Sequence, residues 1–220
     1  MSERLEPLTI DVISDVVCPW CYIGKKQLEQ ALALWTSRNP DKPTPVVRWH
    51  PFQLNPTMPP EGMNRSDYLQ AKFGDPKGGP GYLRVIAATE AAGLPFNPQS
   101  IARQPNTLRA HALMAAALEP PTQQALAAAL FTAYFVDGVN IGDPQSLADI
   151  GKACGLDREA IDTALSTESL QSVGARDDQV RRMGISGVPF FIFGEKVGVS
   201  GAQGTEALLD AMDRVPAQAS

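Results

Sequence analysis

Two cysteines three positions apart, in Cys18-Pro19-Trp20-Cys21, are the residues of this chain best placed to do chemistry. Side chains at i and i+3 of a helix share a face, and Cα atoms about 5.5 Å apart suit a disulfide. Pro19 belongs at a first helical position, where its missing N–H costs nothing. Cys18 then falls at the helix start and Cys21 one turn inside. A helix N-terminus carries positive partial charge and unpaired N–H groups, an environment that can lower a thiol pKa from roughly 8.5 to 7 or below. Access sets the expected roles. Cys18, the more exposed sulfur at the helix tip, attacks a substrate disulfide, and Cys21 resolves the mixed disulfide. Pro19 and Trp20 bring no charge, so the thiolate is expected to be less extreme than one beside a histidine.

Two plainer readings stand beside this one. A C-x-x-C pair is also half of a zinc site, which needs two more ligands. Only Cys154, His50 and His111 are available, and none of them forms a second close pair, so no metal is expected. Two inert buried cysteines are the other alternative. Three cysteines in 220 residues are too few for a disulfide scaffold.

The elements around the pair support its placement. Leu8–Ser14 alternates apolar and polar residues and reads as a strand. Pro19–Trp35 reads as a helix, and Val46–His50 as a second strand ended by Pro51, an order that fits a parallel βαβ unit. Segments 56–60 and 74–81 are rich in Pro and Gly and read as loops. Helices are expected at Asp67–Phe73 with Ser66 as cap, at Tyr82–Ala92, at Thr107–Leu118 with Asn106 as cap, and at Gln123–Val136 with Thr122 as cap. Ser146–Ala153, Asp157–Leu165 and Ser169–Met183 follow as helices. Strand character returns in Val188–Phe193 and Lys196–Val199, a hairpin around Gly194-Glu195, before a last helix at Thr205–Arg214. Strands at both ends with helices between them imply a sheet domain interrupted by a helical insertion.

Gly187-Val188-Pro189 stands at the head of the apolar strand. Proline is tolerated at first strand positions, which is the plain reading. A cis Val188–Pro189 bond would instead present the Val188 N–H and C=O to a visiting peptide. Asn55, Asn106, Arg109 and His111 lie on segments that could line a cleft over Cys18 and are candidate substrate-binding residues. His111 could take a proton from Cys18 or Cys21, or be a buried histidine satisfied by its neighbours. Arg109 could hold a carboxylate such as that of glutathione, or form a surface ion pair. Asp15 could tune the motif or face solvent. Cys154 reads as a small core residue, and His50 carries no signal.

The segment Ser14-Asp15-Val16-Val17-Cys18-Pro19-Trp20-Cys21-Tyr22-Ile23-Gly24-Lys25 resembles the active-site signature of the FrnE branch of the DsbA-like thioredoxin superfamily. Phe52-Gln53-Leu54-Asn55-Pro56, Asn106-Thr107-Leu108-Arg109-Ala110-His111, Ile141-Gly142-Asp143, Gly184–Phe191 and Val199-Ser200-Gly201-Ala202-Gln203 extend the likeness along the chain. The resemblance implies an α/β thioredoxin-like fold with an all-helical insertion. Residues 1–58 and 184–220 would form the discontinuous thioredoxin-like domain and 59–183 the insertion. It also implies a redox-active Cys18/Cys21 pair and a cis proline at Pro189. The 2-hydroxychromene-2-carboxylate isomerase and kappa-class glutathione transferase group is similar in fold, but usually has serine at the nucleophile's place.

Composition bounds the function classes. Hydrophobic residues make up 44% of the chain, enough for a packed core. Nineteen Lys and Arg against 24 Asp and Glu give a net charge of −5, which with no basic cluster argues against a nucleic-acid partner. No apolar run reaches membrane-span length, and the polar start, Met1–Pro7, does not read as a signal peptide, so a cytoplasmic protein is expected. The leading expectation is a dithiol oxidoreductase acting on disulfide or thiol substrates, with no tightly bound cofactor. Glutathione is a candidate co-substrate, and a homodimer is compatible. The runner-up is a glutathione-dependent isomerase or transferase in which Cys18 activates the glutathione thiol. A non-catalytic binding module is the third reading.

Overall fold

In the computed structural model, which describes residues 6–215, the β-branched alternation of the first segment forms β1 (Thr9–Ser14). The chain then turns directly into α1 (Pro19–Arg38) and returns as β2 (Val46–Pro51). Of the start read above as polar, Met1–Leu5 lies outside the described residues, as do residues 216–220. The middle of the chain holds β3 (Met63–Asn64), α2 (Arg65–Phe73), α3 (Gly79–Ala91), β4 (Arg103–Gln104), α4 (Leu108–Ala116), α5 (Pro120–Phe135), α6 (Pro144–Ala153), α7 (Arg158–Ala164) and α8 (Thr167–Arg182). The end supplies β5 (Phe190–Phe193), β6 (Val197–Ser200) and α9 (Thr205–Asp213).

The four long strands form one sheet in the order β2-β1-β5-β6. β1 runs parallel to β2, pairing Thr9 with Val46 through Ser14 with Pro51, and antiparallel to β5, pairing Ile10 with Phe193. A sheet built from both ends of the chain thus brings the segment after β1 beside the segment before β5. The middle is helical apart from the two-residue β3–β4 ladder, which is too short to show an alternating pattern in sequence.

Ile10, Val12, Val47, Trp49, Phe191 and Phe193 point to one face of the sheet. They form a continuous core with Leu28 and Trp35 of α1, Leu208 and Met212 of α9, and Leu126, Leu130 and Phe131 of α5. On the other face, Ile13 packs with Phe52, Val180 of α8 and Ile185. Sheet and insertion are therefore joined through apolar contact on both faces. Among the described residues no helix is long and apolar enough to cross a membrane.

Several helices start earlier than the sequence reading has them. α3, α5 and α6 carry proline in their first turn, where proline is favourable rather than disruptive. The caps shift accordingly. Asn64 rather than Ser66 caps α2, its side chain accepting the Ser66 N–H. Glu119 stands before α5 and Asp143 caps α6.

Candidate active site

The chain leaves β1 at Ser14 and turns through Asp15, Val16 and Val17, closed by the Cys18 N–H donating to the Asp15 carbonyl at 2.9 Å. Cys18 is the N-cap of α1, extended at φ −89° and ψ 114°, with Pro19 at the first helical position and no acidic side chain in the first turn. Its carbonyl accepts from the N–H groups of Cys21 and Tyr22. Its thiol makes no capping bond and lies 3.7 Å from the Val188 carbonyl oxygen, within sulfur hydrogen-bond range. The Val188–Pro189 peptide is cis. Both cysteines are unbridged.

Exposure does not divide the two sulfurs as expected from sequence. Cys18 is 3% and Cys21 1% accessible, while Trp20 between them is 41% exposed. The turn before the helix and the Val188–Pro189 segment cover the helix tip, so the tip is not a free end. The cysteines differ instead in what surrounds them. Burial first, then contact with Cys18, pushes the Cys21 thiol well above the ordinary thiol range, while the Ser14 hydroxyl and the Asp15 backbone pull the other way. Ser14 Oγ is buried with no other partner.

Asp15 is fully buried. Its Oδ2 accepts the Leu54 N–H at 2.7 Å and its Oδ1 the Val17 N–H at 3.5 Å. His111, on α4, brings Nε2 to 3.4 Å from Asp15 Oδ1. The structure thus gathers Cys18, Cys21, Val188 and Pro189, with His111 reaching the same turn through Asp15.

The other polar candidates are engaged mainly by backbone groups. Asn106 accepts from the Leu108 N–H and from Gln53 Nε2, and donates to the Met58 carbonyl at 2.7 Å. Arg109 donates to the Gly142 carbonyl at 3.2 Å. Asn55 is half-buried in the turn after β2, its carbonyl accepting from Met58. These groups shape the 52–62 segment, whose Leu54 N–H donates to Asp15. His50 lies on the opposite sheet face beside Asp11, at 2.7 Å. Cys154 is half-buried at the C-cap of α6, where burial raises its thiol.

Some positioning groups carry no sequence signal as chemistry. Gly24 lets the Pro189 ring approach α1, since a Cβ there would stand 3.0 Å from Pro189 Cγ. Gln53 is held from α8 by Asp177, which accepts its N–H at 3.3 Å, and by Arg181, which donates to its carbonyl. Arg181 also lies 4.1 Å over the Phe52 ring. A buried polar residue at the end of a strand, such as Ser14, is the only hint a sequence offers of such a place.

Comparison with known proteins extends this geometry. The chain is 29% identical over 205 residues to YwbO of Bacillus subtilis, described as uncharacterised, covering 92% of this chain and 94% of that protein. A crystal structure of a probable DsbA oxidoreductase from Streptomyces coelicolor superposes with a TM-score of 0.79 at 27% identity, over 97% of this chain and 94% of that one. The cytosolic disulfide reductase DsbM of Pseudomonas aeruginosa, solved with GSH, shares the fold with a TM-score of 0.66 at 22% identity, over 94% and 100% of the two chains. The family model of the DSBA-like thioredoxin domain matches residues 9–213. With its sheet built from both chain ends around a helical insertion, this chain belongs to the DSBA-like thioredoxin domain family.

Proposed function

We propose that the chain is a thiol–disulfide oxidoreductase that works through Cys18 and Cys21. The observation that carries this reading is the pairing of two unbridged cysteines at the N-terminus of α1, with the Cys18 sulfur against the Val188 carbonyl. A helix N-terminus stabilises a developing negative charge, and the sulfur placed there is that of Cys18. The Cys18 thiolate attacks one sulfur of a substrate disulfide, forming a mixed disulfide and expelling the other sulfur as a thiolate. Cys21 then loses its proton and attacks Cys18 Sγ, releasing the second substrate thiolate. The protein is left with a Cys18–Cys21 disulfide and the substrate reduced by two electrons. The same steps in reverse deliver a disulfide, and the reduction potential, about −120 to −270 mV across such proteins, sets the direction.

Glutathione is the small-thiol co-substrate we assign. A glutathione-bound protein of the same fold supports that choice. The compartment we assign is the cytoplasm, on the low cysteine count of the sequence and a cytosolic disulfide reductase of the same fold.

Trapping tests the roles. Cys21→Ala is expected to accumulate a stable mixed disulfide at Cys18 with a model disulfide substrate, and Cys18→Ser to form none. Disulfide exchange that survives Cys18→Ser would overturn the nucleophile assignment. Full glutathione-dependent isomerisation by Cys21→Ala would point instead to an isomerase or transferase.

A further inference from the structure

Side chains alternate between the two faces of a strand. Asp11 pairs with Arg48 on one side and Ile192 on the other, and Ile13 pairs with His50, so these five share the face turned away from the main core. Arg176 and Val180 of α8 and its C-cap Met183, spaced i, i+4 and i+7, lay one helical stripe across that face. Val180 closes part of it by packing with Ile13 and Ile185. The rest is an open cleft of about 610 Å³ between the stripe and the strands, a size usual for small-molecule sites. Neither cysteine nor Val188 lines it.

The floor of this cleft is apolar, with Ile13, Ile185 and Ile192 beside Met183, which is 63% exposed. Its polar groups differ in how far they are satisfied. His50 Nε2 stands 2.7 Å from Asp11 Oδ1, so the Asp11 carboxylate is engaged within the wall. Arg48 and Arg176 line the cleft from different elements, β2 and α8, and neither forms an ion pair among the described residues. Glu195, on the hairpin beyond Ile192, places one more carboxylate at the end of the cleft away from His50. Two guanidiniums without a counter-ion beside an apolar floor match a ligand with an anionic head and an apolar body.

We propose that this cleft binds a small organic monoacid at a site separate from the dithiol. Arg48 and Arg176 hold the carboxylate, and its apolar body lies on Ile13, Ile192 and Met183. A guanidinium meets a carboxylate through paired, charge-assisted N–H donors, so the site distinguishes an acid from its neutral amide. Glu195 sets the limit on ligand charge, because a second anionic group at its end of the cleft would meet a like charge. The site uses neither Cys18 nor Cys21 and stands whether or not the dithiol reading does.

Hydrocinnamate and its uncharged twin hydrocinnamide, titrated into the isotope-labelled full chain and followed by the backbone amide resonances, form the test. Hydrocinnamate is expected to shift the amides of Asp11, His50, Val180 and Ile192, and to bind about tenfold or more tightly than the amide. Arg48→Gln/Arg176→Gln should remove that preference, leaving the two probes about equal. Glu195→Gln should tighten hydrocinnamate by about two- to fivefold, since it removes a like charge from the rim. Both arginines are exposed, and the comparison of the two probes on the wild type carries the test without any variant. Amides of the cleft that do not move with hydrocinnamate up to about 10 mM overturn the proposal. Equal binding of the two probes to the wild type overturns it as well, as does a preference for the acid that survives loss of both arginines. Hydrocinnamate affinity unchanged in Glu195→Gln overturns the restriction to a monoacid.

Discussion

At Cys21, burial and the contact with Cys18 push the thiol up, the Ser14 hydroxyl and the Asp15 backbone pull it down, and burial wins. The unfolded chain releases this proton at the ordinary thiol value, roughly 8.5, whereas the folded chain holds it to higher pH. Above that value the folded state binds more protons than the unfolded one, so stability must fall as pH rises. The stabilisation is complete below about pH 8.5 and is lost toward the raised folded value, at up to about 1.4 kcal/mol per pH unit. Cys18→Ala isolates the effect by removing the partner thiol. Its denaturation midpoint is expected to drop between about pH 8 and pH 10 more steeply than that of Cys18→Ala/Cys21→Ala. Parallel pH profiles for the two variants would show that burial at this position does not hold the proton.

The start of α1 is determined by residues that do no chemistry. Pro19 fixes the first helical dihedral, and Gly24 lets the Pro189 ring and Phe191 close onto the helix. In Gly24→Ala the added methyl carbon would meet Pro189 Cγ at 3.0 Å and Phe191 Cζ at 3.1 Å. Helix propensity favours alanine by about 1 kcal/mol, but overpacking costs about 1–3 kcal/mol. A net loss of about 1 kcal/mol is expected, with slower attack by Cys18 as the Val188 carbonyl is moved. Urea unfolding and the rate of mixed-disulfide formation with a model disulfide substrate measure the two effects, and a stabilised variant with full rate would refute the packing argument. This contact also marks the boundary of what is legible in the sequence. The strand before Cys18, the helix after it and the hairpin at the end are written in local alternation and periodicity. The approach of Pro189 to Gly24 depends on pairing between β1 and β5, about 180 residues apart in the chain. Helix starts such as Gly79–Tyr82 and Pro120–Thr122 escape for a different reason. Proline there reads as a breaker, although the first turn tolerates it.

Across the whole molecule, the segment after β2 ties the sheet, the cysteine turn and the insertion together. Leu54 donates to Asp15 from one side, while Gln53 is held by Asp177 and Arg181 of α8 from the other. Asp177 is 2% exposed and its carboxylate is neutralised by Arg181, with Nε at 3.2 Å from Oδ1. Arg181→Ala would leave that carboxylate buried without its cation. It would also strip the guanidinium from the Phe52 ring and from the Gln53 carbonyl. Breaking a fully buried pair costs about 3–5 kcal/mol. Because Arg181 is about one-third exposed, water can repay part of the loss, so about 2 kcal/mol is expected. The double variant Asp177→Asn/Arg181→Met should recover part of this, since it removes both charges and keeps an apolar chain over Phe52. The apolar contacts that join sheet and insertion on both faces predict that each variant unfolds in one transition shared by both parts. Chemical denaturation followed in parallel by far-ultraviolet circular dichroism and by tryptophan fluorescence, which reports Trp20, Trp35 and Trp49 on α1 and β2, checks both expectations. Separate transitions for the two signals would mean that the insertion folds apart from the sheet. A double variant no more stable than Arg181→Ala would mean that the buried Asp177 charge is not what makes the loss of Arg181 costly.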